Sequence, residues 1–234
     1  MRCRGFLLAF GQLRIDAAAA ITYRSVVFMA RHGPETGKHI LQAALKRFAN
    51  AGYAATSVQQ IVDDAEVSKP ALYYYFKDKA GLFEALVHQA HDDRYDVLRT
   101  AAARSRDIRD QLEHILAGLF AYVSENRELT RISFATMFAA PGEVPESLHY
   151  AEKCERNFEF VHGLIRGAQE RGELDGRFDS RELAFGFYGL ANFHLVSHLI
   201  RPEAVPDQQG AKRIVDLFLT GAGVRQPAVA QATL

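Results

Sequence analysis

The chain carries no net charge: across 234 residues, 28 Lys and Arg balance 28 Asp and Glu. Holding nucleic acid or an anionic surface by bulk positive charge is thereby excluded, so any affinity for phosphate must come from where individual cations are placed. Cysteine is nearly absent. Cys3 and Cys154 are the only two, and their spacing matches neither a zinc ligand set nor a redox pair, which excludes a zinc finger and fits a reducing, cytoplasmic setting. No alternation of polar and apolar residues is long enough for a sheet, and no stretch reads as the ~20 apolar residues a membrane helix requires. What remains is an ordinary globular composition, 48% hydrophobic and 24% charged, enough for one sizeable core or two unequal ones.

The first 28 residues imitate a signal peptide, with Arg2 and Arg4 before an apolar run, but Gln12, Arg14 and Asp16 break that run early. Residues 1–34 are therefore expected to be a loosely ordered extension, with Met29 as an alternative start. From there the period is helical throughout, and the expected fold is all-α. Residues 35–81 form a small N-terminal unit and 82–222 a larger helical domain, while 223–234 are small and apolar without period and are expected to fray.

In the small unit Ile40, Leu41, Ala44, Leu45, Phe48 and Ala49 recur at helical spacing, and Gly52 closes the helix. Thr56 or Ser57 caps a second, short helix, with Gln59 or Gln60 three residues on. Ser68 caps a third, whose Pro70 falls in the first turn, where a missing N–H costs little. Three helices with a tight turn at Ala65, Glu66 and Val67 make a helix-turn-helix, whose last helix fits the major groove of double-stranded DNA. Lys69, Tyr73, Tyr74 and Tyr75 would offer it hydroxyls and an ammonium. Successive helical residues point about 100° apart, so at least one of three consecutive tyrosines faces out. The alternative is an aromatic stripe packed against the rest of the chain. Lys79 would flank the surface, and Thr56 and Ser57 would set hydroxyls and helix N–H groups where a phosphate could dock. From 35 to 80 six cations oppose five anions, a net charge of +1, so a single copy binds DNA weakly.

Phe48-Ala49-Asn50-Ala51-Gly52-Tyr53, Thr56-Ser57-Val58, Ile61-Val62, Glu66-Val67-Ser68 and Leu72-Tyr73-Tyr74-Tyr75-Phe76-Lys77-Asp78-Lys79 resemble the DNA-binding domain of TetR-family transcriptional regulators. The likeness covers about a fifth of the chain. It departs at Glu66, usually glycine, at Val62, usually alanine, and at Pro70, often glycine. The resemblance implies that Thr56, Ser68, Tyr73, Tyr74 and Lys79 contact phosphates and that Lys69, Pro70 and Tyr75 lie nearest the base edges. It also implies a second helical half that dimerises and encloses an effector.

That second half is rich in aromatic residues. Phe120, Tyr122, Phe134, Phe138, Phe158, His162, Tyr188 and Asn192 are candidates to line a pocket for an apolar or aromatic small molecule, with plain core packing as the alternative for each. Helices are expected at about 107–125, 128–139, 146–171, 180–199 and 209–221, after a long one from 79 towards 103. Gly186 and Gly189 permit close helix approach, so 180–199 and 209–221 are expected to form a four-helix homodimer interface. Such a dimer presents two recognition helices about 34 Å apart. No cofactor is implied. The leading reading is a dimeric repressor released from its operator by a small effector. The alternatives are an all-helical metal enzyme built on His194 and His198, four residues apart, and a helical interaction protein without DNA binding.

Overall fold

A computed structural model describes residues 33–201 and 207–221. The expected extension up to residue 32 and the expected tail from 223 lie outside the described residues. Those described form helices α1 (Pro34–Ala55), α2 (Val58–Asp64), α3 (Lys69–Tyr75), α4 (Lys79–Ala102), α5 (Ile108–Glu125), α6 (Arg127–Thr136), α7 (Ala151–Glu170), α8 (Ser180–Ile200) and α9 (Gln208–Thr220). No strand occurs among them beyond an isolated bridge between Pro141 and Val144.

The three short helices are set by their ends. At Gly52 the backbone turns to φ 80° and ψ 167°, which only glycine adopts without strain, and α1 kinks there before its last three residues. Ser57 and Gln60 form a reciprocal capping box at the start of α2: the Ser57 Oγ accepts from the Gln60 amide, and the Gln60 side chain accepts from the Ser57 amide. At its other end the Val67 amide donates to the Val62 carbonyl at 3.0 Å and the Glu66 amide to the Asp63 carbonyl at 3.2 Å. That is a Schellman closure, which requires a left-handed residue in the middle, and Glu66 supplies it with φ 52°. Arg47 of α1 forks onto the Asp64 carboxylate at 2.5 Å and ties the end of α2 to α1.

Two cores share the longest helix. Leu82, Phe83, Leu86, Val87 and Ala90 of α4 close a cluster with Ile40, Ala44, Phe48, Ile61 and Leu72. Further along, Leu98, Ala101 and Ala102 belong to a larger cluster with α5, α7, α8 and α9. No break in the core falls at 81–82, where the sequence suggests a boundary. Leu129 and Ile132 of α6, from the larger half, pack into the smaller cluster. Charged ends tie the larger half together: Lys153 and Arg156 of α7 both reach the Asp92 carboxylate of α4.

The expected helix over 146–171 begins only at Ala151, and the expected 128–139 ends at Thr136. Residues 137–150 are turns around Pro141, Gly142 and Pro145, where proline and a positive-φ glycine defeat the helix. A second correction concerns α8, which is long and apolar enough by composition alone to cross a membrane. Its Ala184, Phe187, Ala191 and Leu195 are packed inside the bundle, so one side of the helix is core.

Candidate nucleic-acid interface and interior pocket

The third helix divides into two faces by its period. Lys69, Pro70, Tyr73 and Tyr74 are exposed, Tyr73 at 51% and Tyr74 at 49%. Positions i, i+1, i+4 and i+5 make one outward strip. Ala71 and Leu72 are fully buried. Tyr75 lies three residues after Leu72 and four after Ala71, so the same period turns it inward. Its ring packs against Gly37 of α1, where a Cβ would come within 3.1 Å, and its hydroxyl donates to the Gly33 carbonyl at 3.0 Å. The expectation that Tyr75 lies nearest the bases is corrected: it fixes the angle between α3 and α1.

Two further residues leave the expected surface. Thr56 is 2% exposed, and its hydroxyl donates to the Gly52 carbonyl at 2.8 Å; it closes the kinked end of α1 instead of offering its side chain to phosphate. Lys79 donates to the Tyr53 and Thr56 carbonyls, each at 2.9 Å, and burial holds its ammonium below the usual lysine pKa. Ser57 and Ser68 are exposed N-caps, the latter accepting from the Ala71 amide at 3.3 Å.

Of the expected pocket residues the structure brings some together and disperses others. Tyr122 and Phe134 line a small cavity of about 20 Å³ with Ala90, Arg94, Leu119, Val123, Thr130, Ser133 and Leu195. Asn192 and Tyr188 adjoin it through Arg94, whose Nη2 donates to the Asn192 Oδ1 at 2.7 Å and whose guanidinium lies 4.9 Å from the Tyr188 ring centre. The Tyr122 hydroxyl donates to Asp93 at 3.1 Å, and burial, then the Asp93 charge, pushes its pKa far up, so it stays a neutral donor. Phe158 stacks with His162 and Phe185 between α7 and α8, and His162 is held by Glu159 and Ser180, each at 3.0 Å. Phe120 is core, 2% exposed. Phe138 is 86% exposed, because α6 has already ended. Neither of those two lines the cavity. A larger cleft, about 340 Å³, lies between Phe48, Tyr53, Phe83, Ile132, Ala135, Thr136 and Val144, and contains none of the expected residues.

Among the described residues no group of three His, Cys, Asp or Glu is placed to hold a metal. His198 of the His194 and His198 pair is buried, sharing a hydrogen bond between its Nε2 and the Ser124 hydroxyl at 3.2 Å. Arg127 of α6 donates to the His198 and Leu199 carbonyls and so caps α8.

Residues 40–86 match the family model of bacterial regulatory proteins, tetR family. The uncharacterized HTH-type transcriptional regulator YvkB of Bacillus subtilis is 33% identical over 192 residues, covering 80% of this chain and 96% of the relative. The chain belongs to the TetR family. The fold agrees along most of its length. A fatty acid degradation regulator, FadR, from Bacillus halodurans superposes with a TM-score of 0.72 at 19% identity, over 82% of this chain and 98% of its own. FadR from Bacillus subtilis in complex with stearoyl-CoA gives 0.65 at 16% identity, over 80% and 99%.

This TetR-family protein is therefore a DNA-binding transcriptional regulator and not an enzyme. Sequence reasoning missed Arg94 on the cavity wall and Asp93, which holds the Tyr122 hydroxyl. A signal for Arg94 was present, because position 94 follows Val87 by seven and Ala90 by four and so continues the apolar stripe of α4.

Proposed function

We propose that the protein is a homodimeric repressor whose operator is read by α3 and released when a small apolar effector enters the interior cavity. The observation that carries operator binding is the outward strip of Lys69, Pro70, Tyr73 and Tyr74 on the third helix of the helix-turn-helix. It offers two phenolic hydroxyls and one ammonium to phosphates and base edges, with the exposed caps Ser57 and Ser68 beside it in sequence order. With a net +1 on the small unit, two copies are needed, and the exposed apolar face of α8 supplies a place for the second. Such a regulator works in the bacterial cytoplasm, where the DNA is.

Release has a mechanical route through α6. Thr130, Ser133 and Phe134 face the cavity, while Leu129 and Ile132 pack among the residues of the DNA-binding unit. Arg131 between them donates to the Ala49 carbonyl near the end of α1. An occupant that spreads the cavity displaces α6 and with it α1, shifting the population towards a separation of recognition helices that fits DNA less well. The fatty acid degradation named for one superposed regulator and the stearoyl-CoA bound to the other agree with an apolar occupant.

Selection of bound fragments from a random DNA pool tests the reading. A palindromic consensus is expected, with affinity falling for Tyr73→Phe, Tyr74→Phe and Lys69→Gln. An unenriched pool would instead indicate a helical protein that keeps the fold without binding DNA.

A further inference from the structure

Arg94, part-buried on α4, brings a positive charge to the cavity wall without a carboxylate to meet it. Its Nη2 donates to a neutral amide, Asn192, its guanidinium lies over the Tyr188 ring, and its Nε is buried with no partner. The adjacent carboxylate, Asp93, is committed to the Tyr122 hydroxyl, and Arg94 forms no ion pair among the described residues. Leaving a buried guanidinium N–H unsatisfied is costly, and Arg94 lacks the acid that Arg47 finds in Asp64 and Arg156 finds in Asp92. Arg94 is one of the residues that line the cavity.

We infer that the effector carries a carboxylate, which Arg94 holds with Asn192 fixing the guanidinium, while the apolar body of the effector lies along Leu119, Val123 and Leu195. The inference rests on the reading of this cavity as the effector site and gives that site its ligand class. A planar fork suits a carboxylate, which accepts two parallel hydrogen bonds, better than it suits an alcohol or an ester. At about 20 Å³ the cavity holds little more than the volume of a water. An aliphatic acid must therefore push Phe134 and Thr130 of α6 outward, the direction that disturbs α1. Charge recognition and release of DNA are thus coupled through one helix.

The test uses the full chain and three probes that share an eight-carbon chain: octanoate, methyl octanoate and octan-1-ol. Binding is followed by calorimetry and by the shift in thermal unfolding. Octanoate is expected to bind at least about tenfold more tightly than the ester or the alcohol. Arg94→Gln should bring the three together. Asn192→Asp, which leaves the guanidinium in place and gives it an internal carboxylate, should also remove the preference for octanoate. A variant that retains a cooperative unfolding transition and the binding of octan-1-ol is folded. Equal binding of all three probes to the unsubstituted protein, or an octanoate preference that survives both substitutions, overturns the carboxylate and leaves an apolar pocket. Binding of none overturns the pocket and the inference with it, while operator binding by the same ligand-free sample decides the DNA reading separately.

Discussion

The Lys79 ammonium lies 4.2 Å from the centre of the Tyr53 ring and donates to the Tyr53 carbonyl at 2.9 Å. With its second bond, to the Thr56 carbonyl, the lysine at the start of α4 closes the end of α1 directly before the Ser57 cap of α2. Its charge is used inside the domain. Lys79→Met should lower stability by about 1–2 kcal/mol, because it removes charge-assisted hydrogen bonds and a cation–π interaction together. Operator affinity should also fall, but the slope of log affinity against log salt should stay within error of the original. Lys69→Gln should behave in the opposite way, with unchanged stability and a slope smaller by about one for each phosphate no longer neutralised. Urea unfolding and a salt titration of operator binding separate the two; a reduced slope in Lys79→Met would return that lysine to the phosphates.

Glu66 holds the left-handed position of the closure after α2, at φ 52°, whereas the equivalent closure after α7 uses Gly172, at φ 77°, with the Glu173 amide reaching Ala168 and the Gly172 amide reaching Gln169. A side chain in this region costs about 1–2 kcal/mol, against which glycine loses part through its freer unfolded chain. Glu66→Gly should therefore stabilise the protein by about 0.5–1 kcal/mol, and Gly172→Ala should destabilise it by about 1 kcal/mol. Both appear as shifts in the urea midpoint without a change in its slope.

The helix-turn-helix is legible in the sequence because its punctuation is local: Gly52, the Ser57 and Gln60 box, Ser68 and Pro70 act within a few residues of themselves. Tyr75 follows from the period of α3 alone once Ala71 and Leu72 point inward, a step that a reading of three adjacent tyrosines as one surface omits. Thr56 and Lys79 are beyond such reach, because their partners are backbone carbonyls in the kinked end of α1 and propensity does not report those. The larger half is legible as helices but not as a pocket. Phe120 and Phe134 look alike in sequence, and only the packing of α5 against α6 puts one in the core and the other on the cavity.

Stability should depend on pH through His91. Its ring is buried, stacked on Tyr150, with the free thiol of Cys154 at 3.7 Å. Burial, helped by Arg94, His88 and Lys153 and opposed by Asp92, lowers its pKa from 6.5 to about 4. Between those values the unfolded chain binds a proton that the native protein refuses, so stability is lost as pH falls from 6.5 towards 4. Unfolding free energy should be about 2 kcal/mol lower at pH 5 than at pH 7 on this account. Urea titrations at the two pH values should show His91→Phe, which keeps a stacking ring, losing markedly less.

The outer face of α8 should govern both assembly and DNA binding. Phe193 is 71% and Ile200 73% exposed, with Gly186 and Gly189 on the same helix and Leu217 half-exposed on α9. A Cβ added at Gly189 would meet nothing within 4 Å, so the helix is open there to close approach by another. Apolar side chains this exposed on a single helix are unfavourable in water, and the proposed dimer would cover them with a gain of about 25 cal/mol per Å². Phe193→Glu should convert the dimer to monomer in sedimentation equilibrium, because two like charges then face each other across the two-fold axis. The monomer should retain its helicity, since Phe193 does not belong to the buried core. Its operator affinity should fall by at least about a hundredfold, as each half-site is then bound alone by a unit of net charge +1. A monomeric Phe193→Glu protein that binds the full operator undiminished would refute the dimer requirement, and a protein that stays dimeric would place the interface on another surface.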